Sequence, residues 1–222
     1  MSKTQYVGSS GVSATASIPT SYKSSLMIAA ILLAAGESTR MGRPKQLLDW
    51  HGRPLVVAQI ETLLTAGCRP VVVVLGAHAN RIRPILPSRS VVQVTTNRNW
   101  REGRASSIRA GARSVPAAAE AVVVTSVDQP TEPSVIERLD HGLEGARDAL
   151  VAVPRHEGRN GHPPMFRSEL LPELSAVSER QQGLRQVRRR HAERTIFVEM
   201  DNPIVTINLN TPEEYRRALE LL

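Results

Sequence analysis

Aromatic residues and cysteine are scarce in this 222-residue chain, and each scarcity removes a class of function. Two Phe, two Trp and three Tyr supply no stacking platform for single-stranded nucleic acid, and they leave the core to Val, Leu, Ile and Ala. The one cysteine, Cys68, excludes an internal disulfide framework and any multi-cysteine metal site. It is read as a small buried apolar residue in a reducing, cytoplasmic setting. His51, His78, His141, His156, His162 and His191 form neither a His-x3-His pair nor a His-Glu-x2-His helix, so nothing supports a zinc hydrolase. The apolar run 26–35 is too short to span a bilayer and lacks the compact basic start of a secretory signal; no other stretch approaches that length, so no membrane association is expected.

What is present is a 41% hydrophobic chain with a net charge of +7, enough for one substantial domain plus a tail. Residues 1–26 are predicted to be a disordered, dispensable tail, because 1–25 hold eight Ser and two Gly with little apolar periodicity. Residues 27–222 are predicted to be the domain. Its positive field suits nucleic acid or a polyphosphate equally, so charge alone does not choose.

Apolar, strand-like runs at 26–35, 71–75, 91–95, 121–127 and 150–153 alternate with helical patterns at 55–66, 79–86, 105–114 and 134–143. The alternation predicts a single-domain α/β fold with a mostly parallel, Rossmann-like sheet. Two late strands are expected at 195–200 and 204–207. A final helix opens with Thr211, Pro212 and Glu214 as a capping box.

The stretch LLAAGESTRMGRPKQLL follows the first strand, where open α/β sheets bind ligands. It is neither a Walker loop, since Gly36 and Gly42 are separated by five residues, nor a dinucleotide fingerprint. Gly36 and Gly42 can bring backbone amides to phosphate oxygens, Arg40 offers a fork and Lys45 a mobile point charge. An ordinary basic surface loop fits the same residues. Asp128, ending the apolar run in VVVTSVDQP, can hold Mg2+ facing that crevice or simply open a turn before Pro130.

In combination, LLAAGESTRMGRPKQLL, VVVVLGAHA, TTNRNWREGRASSIRAG, TSVDQP, RNGHPPMF and INLNTPEEY resemble the molybdenum cofactor cytidylyltransferases, the MobA/MocA-like NTP transferases, over nearly all of 28–222. The resemblance implies a nucleotide-diphospho-sugar transferase (GT-A-like) fold, with NTP and Mg2+ in the first half and the acceptor in the second. It implies that Leu33, Ala34, Ala35, Gly36, Ser38, Arg40, Met41, Gly42 and Lys45 form the triphosphate and base loop. Gly76, Asn97, Gly103 and Ser107 would line base and ribose, and Asp128 would bind metal. Gly161, His162 and Pro163, with Asn208 and Asn210, would face the acceptor. Arg40, Lys45 and Asp128 would carry catalysis. Ala35 stands where guanylyl-transferring relatives usually have Gly, which points to CTP; Asn208 and Asn210 stand where cytidylyl relatives often have Asp. The implied partners are CTP, the molybdenum-pterin cofactor and, transiently, a molybdoenzyme. The alternatives are guanylyl transfer, transfer to a sugar phosphate, and a non-catalytic phosphate-binding, nucleic-acid-binding or cofactor-chaperoning protein. The stretch Arg188 to Arg190 is read first as a solvated helix face, with contact to the acceptor phosphate as the alternative.

Overall fold

The computed structural model describes residues 26–221; the expected tail, apart from Leu26, lies outside them. In chain order the strands are β1 (Ile28–Ala34), β2 (Asp49–Trp50), β3 (Arg53–Pro54), β4 (Val71–Leu75), β5 (Val92–Thr96), β6 (Ala121–Ser126), β7 (Val151–His156), β8 (Arg159–Asn160), β9 (Met165–Arg167) and β10 (Thr195–Glu199). The helices are α1 (Leu55–Thr65), α2 (Ala79–Ile82), α3 (Arg104–Ala112), α4 (Pro133–Gly145), α5 (Leu171–Leu174), α6 (Leu184–Arg190) and α7 (Pro212–Leu221).

The main sheet runs β10-β7-β9-β6-β1-β4-β5, with β8 paired to β7. β1 is parallel to both β4 and β6, and all seven of its residues are buried, which is why its sequence is an unbroken apolar run. At one edge, β5 is only half-buried and its residues alternate accordingly. One apolar layer joins the sheet to α1, α4 and α7 through residues such as Ile60, Leu139 and Ala218. The opposite layer packs Ile108, Leu174 and Val187 from α3, α5 and α6. Both faces are covered, as a parallel sheet requires. Cys68 is fully buried, and that burial pushes its thiol up to about 12.

Two local expectations need correction, and one strand was not expected. Residues 204–207 do not form a strand: Pro203–Thr206 is a 3-10 turn, started by Pro203 and capped by Asn202, whose Oδ1 accepts from Ile204 N at 2.9 Å. The helix expected over 79–86 stops at Ile82, and Arg83–Ile85 tightens into a 3-10 turn around Pro84. The antiparallel strand β9, inserted between β6 and β7, went unrecognised because three residues after Pro163 and Pro164 are too few to show a period.

Candidate active site

The glycine-rich loop leaves the carboxyl end of β1 and is held from behind by a buried amide. Gln46 Nε2 donates to Ala34 O at 2.8 Å and to Gly36 O at 3.0 Å. Ser38 takes a left-handed turn (φ 62°), and its Oγ accepts from Lys45 N at 3.1 Å. Met41 is buried in the core and anchors the loop, while Gly42 (φ 69°) closes the turn after it. Gly36 has open space where a side chain would begin. The amides of Gly36, Glu37 and Ser38 make no backbone hydrogen bond among the described residues. Such a row of free N–H groups is a nest for an anion.

Asp128 emerges two residues beyond β6, opposite this loop. Lys45 Nζ lies 2.9 Å from Asp128 Oδ2 and donates to Asn210 Oδ1 at 3.2 Å; Arg40 reaches the same Asn210 oxygen at 3.5 Å. The Lys45 side chain is only 9% exposed against 29% for Asp128. Lys45 is therefore a fixed cation with a partner, not the mobile charge its sequence position predicted. The partner comes from 83 residues away, which sequence spacing does not reveal.

A second buried amide holds the Asp128 turn. Gln59 Nε2 donates to Val127 O at 3.3 Å and Gln129 O at 3.0 Å. From the far end of the chain, Leu209 N donates to Asp128 O at 2.8 Å and Asn208 Oδ1 accepts from Gln129 Nε2 at 3.0 Å. Asn208 and Asn210 thus flank the Asp128 turn.

These elements enclose a cavity of about 610 Å³. Of the predicted site residues, Leu33, Ala35, Gly36, Ser38, Arg40, Lys45, Gly103, Ser107 and Asp128 line it. Ala34 and Met41 are buried in the core behind it. Gly76 packs on the same wall, where a Cβ would come within 2.6 Å of Ala35 O. Asn97 is a bracket: its Nδ2 donates to Ser106 Oγ at 2.7 Å and Ser107 Oγ at 3.0 Å, fixing the start of α3. Gly161 lies where a Cβ would meet Val205 O at 2.5 Å, and His162 N donates to that carbonyl.

Sequence reasoning missed Trp100 and Arg104, which also line the cavity. Burial lowers the pKa of Arg104, opposed by the negative charges of Asp128 and Glu179. Glu179 itself closes on α3: its carboxylate accepts from Ala105 N and lies against Gly103. His162 sits near the same charges, with both ring nitrogens buried and without a hydrogen-bond partner. Burial, then Arg104, push its pKa down to about 4 against the pull of Asp128, so it is neutral at pH 7.

Among the described residues no group of three or more His, Cys, Asp or Glu could cage a metal. One partly exposed carboxylate beside the free loop amides fits a hard divalent cation that keeps waters and shares its remaining positions with substrate phosphates. No helix of the described residues is long and apolar enough to cross a membrane.

Residues 30–195 match the family described as the MobA-like NTP transferase domain. Nicotine blue oxidoreductase of Paenarthrobacter nicotinovorans is 31% identical over 86% of this chain and 96% of its own. The molybdenum cofactor cytidylyltransferase of Escherichia coli K12 is 26% identical (86% and 94%), and the molybdenum cofactor guanylyltransferase of Vibrio campbellii 30% (83% and 91%). Rv0371c of Mycobacterium tuberculosis H37Rv superposes with a TM-score of 0.73 at 26% identity, covering 88% of this chain and 98% of that one. The same protein has been solved in complex with manganese, with a TM-score of 0.69. The single mostly parallel α/β domain is the fold this chain shares with those structures.

Proposed function

Because the chain belongs to the MobA-like NTP transferase family, we propose that its nucleotidyl transfer moves CMP from CTP to the terminal phosphate of the molybdenum-pterin cofactor, releasing pyrophosphate. The observation that carries this reading is the Lys45–Asp128–Asn210 contact facing a loop with free amides across one cavity. Loop amides and Arg40 hold the triphosphate. An ionised oxygen of the acceptor phosphate attacks the α-phosphorus in line. That O–P bond forms as the bond to the β-phosphate oxygen breaks, and pyrophosphate carries the charge away. The acceptor oxygen is already deprotonated, so no strong general base is required, and catalysis is positioning plus charge stabilisation.

Asp128 would hold Mg2+, with Asn208 and Asn210 as nearby amide oxygens; the ion supplies neutralisation of phosphate charge. Lys45 then exchanges Asp128 for a phosphate oxygen. The ring nitrogens of the neutral His162 are buried, so His162 would meet the acceptor molecule, alongside Gly161 and Pro163, only after its loop shifts to uncover them. Ala35 supports CTP, since its methyl crowds a purine more than a pyrimidine. A difference of that size is worth about 1–3 kcal/mol. We place the activity in the cytoplasm, with hand-over to a molybdoenzyme and without nucleic acid.

Two rival readings rest on relatives: GTP as donor, and oxidoreductase chemistry, given the 31% identity to an enzyme named for it. Pyrophosphate release from each NTP, with and without the pterin acceptor or a sugar phosphate, separates the donors and acceptors. Release with GTP alone, or with a sugar phosphate and not the pterin, would replace this substrate assignment.

A further inference from the structure

Away from the cavity, a groove of about 530 Å³ runs between α6 and the edge strand β10. Arg185, Arg188, Arg189, Asn160, Thr195 and Phe197 line it. Several arginines are paired with acids: Arg190 with Glu173 at 2.6 Å, Arg138 with Asp201 at 2.8 Å, Arg89 with Glu61 at 3.0 Å and Arg109 with Glu102 at 3.1 Å. Arg185, Arg188 and Arg189 pair with no acid among the described residues. A solvated helix face does not explain Arg188, because its Nε is buried without a hydrogen-bond partner. Burial and the neighbouring Arg185 both disfavour its charge. A partly desolvated cation beside a like charge gains when an anion binds against it.

One wall adds a flat apolar contact. Phe197 is 42% exposed, and the Arg155 guanidinium carbon stacks 3.7 Å from its ring centroid. Arg155 Nε also donates to Asn160 Oδ1 at 3.3 Å, leaving the Asn160 amide N–H group as a further donor.

We propose that this groove is a binding site for a phosphate-bearing small molecule, separate from the nucleotide cavity, with Arg185, Arg188 and Arg189 gripping the phosphate and Phe197 supporting the remainder. Its volume lies within the range of small-ligand sites, roughly 300–1,000 Å³. A phosphate oxygen entering the groove meets Arg188, Arg185 and Arg189 together, whereas a flat acidic protein surface meets mainly the exposed Arg185 and Arg189. The guanidinium fork matches phosphate geometry better than a point charge would.

The test is isothermal titration of the full chain carrying Arg40→Ala and Lys45→Ala, which weakens phosphate binding in the cavity, and it reads binding heat rather than transferase activity. Inorganic pyrophosphate, ribose 5-phosphate and a poly-glutamate peptide are titrated separately. One of the two phosphate probes binds saturably, and the tighter of them says whether a free phosphate or a phosphorylated organic molecule is the occupant. Adding Arg188→Gln with Arg189→Gln weakens that binding roughly tenfold or more. Arg188→Lys with Arg189→Lys keeps the charge, loses the fork and gives an intermediate affinity, and serves in place of the glutamine pair if that pair does not fold. Binding of neither phosphate probe, phosphate binding untouched by these substitutions, or binding of the peptide alone overturns the proposal.

Discussion

In the cavity, Lys45 is buried against Asp128 and Asn210, so its charge is balanced before any ligand arrives. In the groove beside α6, three arginines face no acid, and one has a buried nitrogen with no partner. The first arrangement suits chemistry: charges are preorganised and exchange partners as phosphates enter, which avoids reorganisation in the transition state. The second suits capture, since an unpaired cluster gains most when an anion binds. Both lie on one fold and both are basic, so net charge does not distinguish them.

The largest effect that would sharpen this contrast is expected at Asp128. Asp128→Ala removes the candidate metal ligand and strands Lys45, and pyrophosphate release should fall by on the order of 10²–10³ or more. A thermal melt should register a loss of about 1–3 kcal/mol, because a mostly buried ammonium loses its charged partner. No comparable loss is expected from Arg188→Gln. A melting temperature equally insensitive to both would erase the distinction between balanced and unbalanced charge.

Gly76→Ala comes next. Its new methyl would sit 2.6 Å from Ala35 O, so overpacking by about 1–3 kcal/mol and a displaced cavity wall should raise KM for the nucleotide. An unchanged KM would remove that wall from the binding site. Gln46→Met keeps the volume but removes two hydrogen bonds behind the glycine-rich loop, which should cost about 1–3 kcal/mol. Nucleotide KM should rise more than kcat falls, and the opposite split would mean that Gln46 does not position the loop.

His162, buried near Arg104 and Asp128, gives a pH signature of its own. Its folded pKa of about 4 lies below the ordinary 6.5, so the unfolded chain binds more protons between those values. Stability should therefore fall as pH drops from 6.5 towards 4, by up to about 1.4 kcal/mol per pH unit, with no contribution above that window. Denaturant titrations across that range should lose this slope in His162→Gln. The smallest effect is expected in the groove: without ligand, Arg188→Gln should shift stability by no more than about 0.5 kcal/mol, because it breaks no pair.

The difference between the regions also decided what was legible in the sequence. The alternation of strands and helices, and the loop from Leu33 to Lys45, are contiguous signals, and they indicated the α/β architecture and the cavity's first wall. Gln46 and Gln59 gave no signal, since a buried glutamine that binds two carbonyls looks like any polar helix residue. Arg104 and Trp100 join the cavity only through packing of α3 and the turn before it. Of the groove only the arginine run was readable, as a solvated face or a phosphate contact; its walls from β10 and β8 come together only in the fold.

The central claim, nucleotidyl transfer in the cavity, is tested most directly by measuring pyrophosphate release from CTP in the presence of the molybdenum-pterin cofactor, comparing the native chain with Asp128→Ala. The account predicts release that exceeds that with GTP, requires the acceptor and disappears in the variant. A chain that releases no pyrophosphate from any NTP while turning over nicotine blue would contradict it.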